Sequence, residues 1–164
     1  MTLRRRALTQ FTISGLAMSG LAALATPARA DAPRVTIALV PIYGTDPFYT
    51  TMNRGARAAA QAVGATLLYQ GPTEPSPVQQ VQALNAVMAR KPDVLLVAPA
   101  DRTLMVAPLR KVALDLGVPV ICVDTYIGAT PATYQTGGGE ADFPLCYIAS
   151  DDAAGGALAA RGLA

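Results

Sequence analysis

Val35-Thr36-Ile37-Ala38-Leu39-Val40 runs through Pro41-Ile42 into Tyr43-Gly44-Thr45-Asp46-Pro47-Phe48-Tyr49. The first stretch is an apolar run of β-branched and aliphatic residues and reads as a buried strand. The second holds a polar residue, Asp46, directly before Pro47, then two adjacent aromatics. Asp caps helices well, and proline suits the first helical turn because its missing N–H has no partner there. The two stretches together predict a strand, a tight turn and a helix. In open α/β sheets ligands gather outside the carboxyl ends of the strands, so this turn is the first candidate contact edge.

The pattern then repeats. Phe48, Met52, Gly55 or Ala56, Ala59 and Val63 recur at helical steps and predict the inner face of the first helix, which Gly64 ends. Ala65–Tyr69 reads as a second strand. Gly71-Pro72-Thr73-Glu74-Pro75 is a loop, and Ser76, Pro77 and Gln79 open a second helix with a capping-box pattern. Val78, Val81, Leu84 or Asn85, and Val87 or Met88 form its expected inner stripe. Asp93–Ala98 is a third strand, apolar enough to be covered on both faces. A turn at Pro99-Ala100-Asp101 leads to a helix whose inward residues are expected to be Leu109, Val112, Ala113 and Leu116, with Gly117 as its stop. Val118–Val123 is a fourth strand and Leu145–Ala149 a fifth. Strands alternating with helices imply an α/β fold, a doubly wound parallel sheet of Rossmann-like type. Ser150-Asp151-Asp152 caps a last, Ala- and Gly-rich helix with little to bury.

Composition narrows the function classes. The chain has 164 residues, 52% hydrophobic and 15% charged, which suits a packed core. It contains no His and no Trp, so imidazole metal sites and Ser-His hydrolases are excluded. Residues 1–30 have the parts of an export signal: Arg4-Arg5-Arg6, an apolar middle from Thr12 to Ala25, and Ala28-Arg29-Ala30 before the expected cleavage at Asp31. Arg5-Arg6 also loosely fits a twin-arginine signal, so the general and twin-arginine routes both stay open. Without this segment the thirteen basic side chains fall to nine, against eleven acidic ones. A mildly acidic chain with no basic cluster offers no footprint for nucleic acid. Gly137-Gly138-Gly139 lacks the strand–glycine–helix setting of a phosphate loop.

Five segments in order carry a family likeness: Asp46-Pro47-Phe48-Tyr49, Gly71-Pro72-Thr73-Glu74-Pro75, Val97-Ala98-Pro99-Ala100-Asp101, Gly117–Asp124, and Ile148–Gly156. Together they resemble the periplasmic sugar-binding proteins of ABC transporters, the ribose-binding-like class, near the branch that takes rhamnose or autoinducer-2. The resemblance implies the first lobe of a type I periplasmic binding protein. Residues 1–30 would be the signal, 31–149 the lobe, and 150–164 the opening of a second lobe, with the chain ending early as a fragment or a shortened frame. It further implies an exported, monomeric, non-enzymatic solute-binding component with no cofactor, a sugar or sugar-like ligand held between lobes, and a transporter permease as partner. The alternatives are the ligand-sensing domain of a receptor or regulator, and an inactive truncated fragment.

The expected ligand contacts are Asp46, Phe48, Tyr49, Asp124 and Asp101. Phe48 and Tyr49 offer flat faces for a ring's C–H surface, or one of them packs into the core. Asp46 stands where the family usually has Asn and can equally cap the helix. Asp124, directly after a buried strand, can accept two hydroxyl bonds, and bonds to a charged acceptor are the stronger kind. Asp101 suits capping better than contact. Thr125 stands where ribose binders commonly carry Arg, and Ala98 where they carry a polar residue, which turns the reading away from ribose. Cys122 and Cys146, the only cysteines, suggest a disulfide in an oxidising compartment, or two buried thiols. They are a poor metal site.

Overall fold

A computed structural model describes residues 34–131 and 139–163. The expected export signal lies outside the described residues. Five strands, β1 (Thr36–Val40), β2 (Thr66–Tyr69), β3 (Val94–Val97), β4 (Val120–Val123) and β5 (Cys146–Ile148), form one sheet in the order β2-β1-β3-β4-β5. Every neighbouring pair is parallel. Parallel neighbours need crossovers, which are almost always right-handed in such sheets. The chain moves one way from β1 to β2 and the other way from β2 to β3. Its helices therefore fall on opposite faces, and the direction of winding reverses between β1 and β3.

Three helices supply the first crossovers: α1 (Pro47–Ala62), α2 (Pro77–Met88) and α3 (Val106–Arg110), the last continuing as a wider π-helical turn over Lys111–Asp115. A fourth, α4 (Asp152–Gly162), follows β5. The caps form as the sequence implies. Asp46 Oδ1 accepts the amide of Phe48, and Ser76 Oγ accepts that of Gln79 at 3.5 Å. The capping box closes only on that side, because the Gln79 side chain bonds Thr73 and Glu74 instead. The core collects around β3, where Leu95 and Val97 are fully buried, with Leu84 and Val87 of α2, Met105, Leu109 of α3, and Val120.

Three inner faces differ from the periodic reading. On α1 the buried residues are Tyr49 and Ala60, while Phe48 and Val63 are 51% and 77% exposed, so the face is turned by one position. The helix is rich in Ala, which marks no face strongly, and a tyrosine with a buried partner sets its rotation. On α2, Val78 is exposed and Gln80 is completely buried. After α3, Leu116 is exposed because its amide bonds back to Lys111, five residues earlier. That wider turn advances the phase and carries Leu116 off the inner stripe.

Candidate ligand-binding rim

The carboxyl edge of the sheet is assembled by one buried amide. Gln80 Nε2 donates to the carbonyls of Pro41, just past β1, at 2.9 Å and Ala98, just past β3, at 2.6 Å. Its Oε1 accepts the amide of Ala100 at 2.8 Å. Backbone groups beyond the strand ends have left the ladder and still need partners. Gln80 supplies them at the point where winding reverses, and so fixes the first and third turns relative to each other. The signal was present in the sequence: Gln80 lies four and seven positions before Leu84 and Val87, on their face of the helix.

The first turn is also held from its outer side. The amide of Gly44 donates to Pro72 O at 2.9 Å, and the Tyr69 hydroxyl donates to Gly44 O at 2.8 Å. Gly71 packs so closely on this turn that a Cβ there would lie 2.4 Å from the Cα of Gly44 and 2.7 Å from the ring of Pro41. The Gly71-Pro72 loop is thus a buttress for the turn that leads through Asp46 into α1.

The sequence-predicted residues divide in this setting. Tyr49 is only 7% exposed, and its hydroxyl donates to Asp124 Oδ2 at 2.6 Å across 75 positions of sequence. Tyr49 is therefore a buried partner of Asp124 and not an open face. Its hydroxyl is held in the protonated form, far above the usual tyrosine range, first by burial, then by the bond to Asp124 and the charges of Asp124 and Asp46. Phe48 meets Tyr49 edge-on at 5.2 Å between ring centroids and leaves half its surface open. Asp46 is the helix cap, close enough for its charge to act on Tyr49 and Tyr69.

Asp124 takes the left-handed backbone region, with φ of 64°. Such a conformation is uncommon outside glycine, although Asp and Asn visit it more readily than other residues. Its amide donates to Ile148 O, and its carbonyl accepts the Tyr147 hydroxyl at 2.8 Å. Thr125 donates its hydroxyl to Pro99 O at 2.9 Å, tying the fourth turn to the third. Asp101 caps the third turn: its Oδ1 accepts the amides of Thr103 and Leu104, which hold its carboxyl below the usual carboxylate range.

An open cleft of about 490 Å³ lies over this edge, lined by Ile42 after β1, Pro99, Ala100, Asp101 and Arg102 after β3, Asp124, Thr125 and Tyr126 after β4, Tyr147 of β5 and Asp152 of α4. Asp101 and Asp124 share it; Asp46, Phe48 and Tyr49 do not line it. Sequence reasoning missed Arg102, Tyr126 and Tyr147. Arg102 hydrogen-bonds the Tyr126 hydroxyl and lies 4.9 Å from that ring's centroid, and Tyr126 meets Tyr147 edge-on at 5.5 Å. Arg102 and Tyr126 lie within two residues of strand-end turns already singled out, which was the available signal.

Cys122 and Cys146, which the sequence left open as a disulfide or two thiols, are both free thiols in the structure. Adjacent strands carry them, but the register sets Cys122 beside Tyr147 and Cys146 beside Ile121, so they are not a facing pair. Burial pushes the Cys122 thiol up to about 11, against a smaller opposing effect of its hydrogen bond with the Ile127 backbone.

A family model described as "Periplasmic binding protein domain" matches residues 37–164. Among solved structures, an ABC transporter solute-binding protein from Agrobacterium vitis with bound alpha-D-tagatopyranose is 54% identical, with a TM-score of 0.71 over 78% of this chain and 42% of its own. A periplasmic solute-binding protein from Actinobacillus succinogenes 130z with bound D-allose is 26% identical, with a TM-score of 0.65 over 79% of this chain and 43% of its own. Another from Agrobacterium vitis, with bound D-fucose, is 28% identical, with a TM-score of 0.62 over 77% and 41%. The chain spans about two fifths of the length of these relatives.

Proposed function

From the premise that this chain belongs to the periplasmic binding protein domain family, we propose that its strand-end rim is one wall of a sugar-binding cleft in an ABC transporter solute-binding component. The observation that carries this reading is convergence. Turns after β1, β3 and β4 and the side chain of Tyr147 line one open cleft with carboxylates, hydroxyls and aromatic edges. That chemistry suits a small polyol: carboxylates accept adjacent hydroxyls, and apolar surfaces cover C–H faces. Relatives at 54% and 26% identity carry bound sugars, which supports the ligand class.

In this reading residues 31–149 form the ligand-binding lobe, 150–164 begin the passage to a second lobe, and the export signal 1–30 directs the protein to the periplasm. The partner is a transporter permease, the protein acts as a monomer, and no bond is made or broken in the ligand. Binding would favour a closed state through differential affinity, the only way a ligand shifts such an equilibrium.

Isothermal titration of the protein expressed from its whole reading frame, across pentoses, hexoses, deoxyhexoses and polyols, tests the proposal. Saturable heat with at least one sugar is the expected result. Silence across the whole panel, from a protein shown to be folded by circular dichroism, would remove it.

A further inference from the structure

Tyr49 pairs with Phe48 in the first turn of α1, yet its surroundings do not suit a stacking face. Its ring is buried, its hydroxyl points at Asp124, and the open aromatic surface belongs to Phe48. A phenol has one proton to donate. Here that proton goes to Asp124 Oδ2, which fixes the carboxylate and leaves Oδ1 for other donors. The phenol oxygen keeps only its acceptor capacity.

We propose that Tyr49 is a positioning residue for ligand recognition: it clamps one oxygen of Asp124 so that the other faces the cleft in a single orientation as an acceptor for ligand hydroxyls. The backbone of Asp124 is already fixed by Ile148 and Tyr147. A short carboxylate on a fixed backbone has few rotatable bonds left, and the Tyr49 bond restrains them. Preorganisation of this kind removes ordering cost from binding without adding a ligand contact. The high ionisation range of the Tyr49 hydroxyl keeps the clamp closed throughout neutral and mildly alkaline solution.

This inference rests on the sugar-binding reading, and two measurements separate the two. The first needs no ligand. Side-chain scalar couplings of Asp124 by NMR should report one rotamer in the native chain and several in Tyr49→Phe, with the circular dichroism spectrum unchanged. The second is titration with D-tagatose, D-allose and D-fucose. Tyr49→Phe should weaken whichever sugar binds by about tenfold, the scale of one hydrogen bond to a charged group. Asp124→Asn should weaken it further, and the double variant should show strong non-additivity. If Tyr49→Phe keeps both the single Asp124 rotamer and full affinity, the clamp is refuted while the sugar reading stands. If the native protein binds no sugar, the sugar reading falls, and the rotamers alone decide whether Tyr49 orients Asp124.

Discussion

β3 and α4 show opposite relations between sequence and surroundings. Leu95 and Val97 of β3 are fully buried, and the strand has partners on both sides. α4 has a formed N-cap at Asp151 and no buried residue; its Leu158 is 66% exposed. Local signals alone, a cap and several Ala residues, hold α4 as a helix, whereas β3 is specified by tertiary contact as well. The stability of the described unit should therefore reside in the sheet and α2, and very little of it in α4.

That contrast can be broken at its strong end first. Leu84→Ala opens a cavity in the core beside β1 and should cost about 2–5 kcal/mol, read as a lower midpoint in urea. A loss under 1 kcal/mol would mean that the core is looser than the burial indicates. Gln80→Leu keeps the volume but strands Pro41 O, Ala98 O and the Ala100 amide. It should cost about 1–3 kcal/mol for groups left buried and unpaired, and it should also broaden the amide signals of the first and third turns.

A third prediction concerns alkali. The Tyr49 hydroxyl is raised above its ordinary value of 10.0, so its contribution is complete below pH 10 and is lost as pH climbs toward the folded value. Native protein should lose stability above pH 10 more steeply than Tyr49→Phe, measured by urea midpoints at stepped pH. At the other extreme, Asp101 is lowered from 3.8 by two backbone amides. Its contribution is present above pH 3.8 and fades as pH falls through the lowered value. Asp101→Asn should flatten that acid limb slightly. The smallest effect belongs to α4: Leu158→Ala should change stability by less than about 0.5 kcal/mol, as for exposed sites generally. A larger loss would show that this helix is covered in solution.

The sheet was legible because most strands are short aliphatic runs closed by a turn signal, and because α/β alternation leaves few topologies. Helix starts were legible where a capping side chain stands before proline, as at Asp46-Pro47 and Ser76-Pro77. Helix faces were less so. The phase of α1 depends on a contact 75 residues away, and Leu116 was displaced by a local widening that periodicity cannot see. The rim showed the same division. Asp124 and Asp101 were visible as acids after strands. Gln80 was visible on the Leu84 and Val87 face, and Arg102 and Tyr126 lie beside the turns singled out, but their partners are long-range; the Tyr49–Asp124 bond spans 75 positions and no local pattern marks it.

The left-handed backbone at Asp124 limits how the proposed binding rim can change. Only Asp, Asn and Gly tolerate that geometry readily, so the position admits a carboxylate, an amide or nothing. If the proposed sugar-binding reading holds, ligand preference would drift by single substitution mainly at neighbours such as Arg102 and Tyr126, whose backbones carry no such restriction. Directed libraries aimed at a new polyol should randomise those neighbours and leave residue 124 almost untouched.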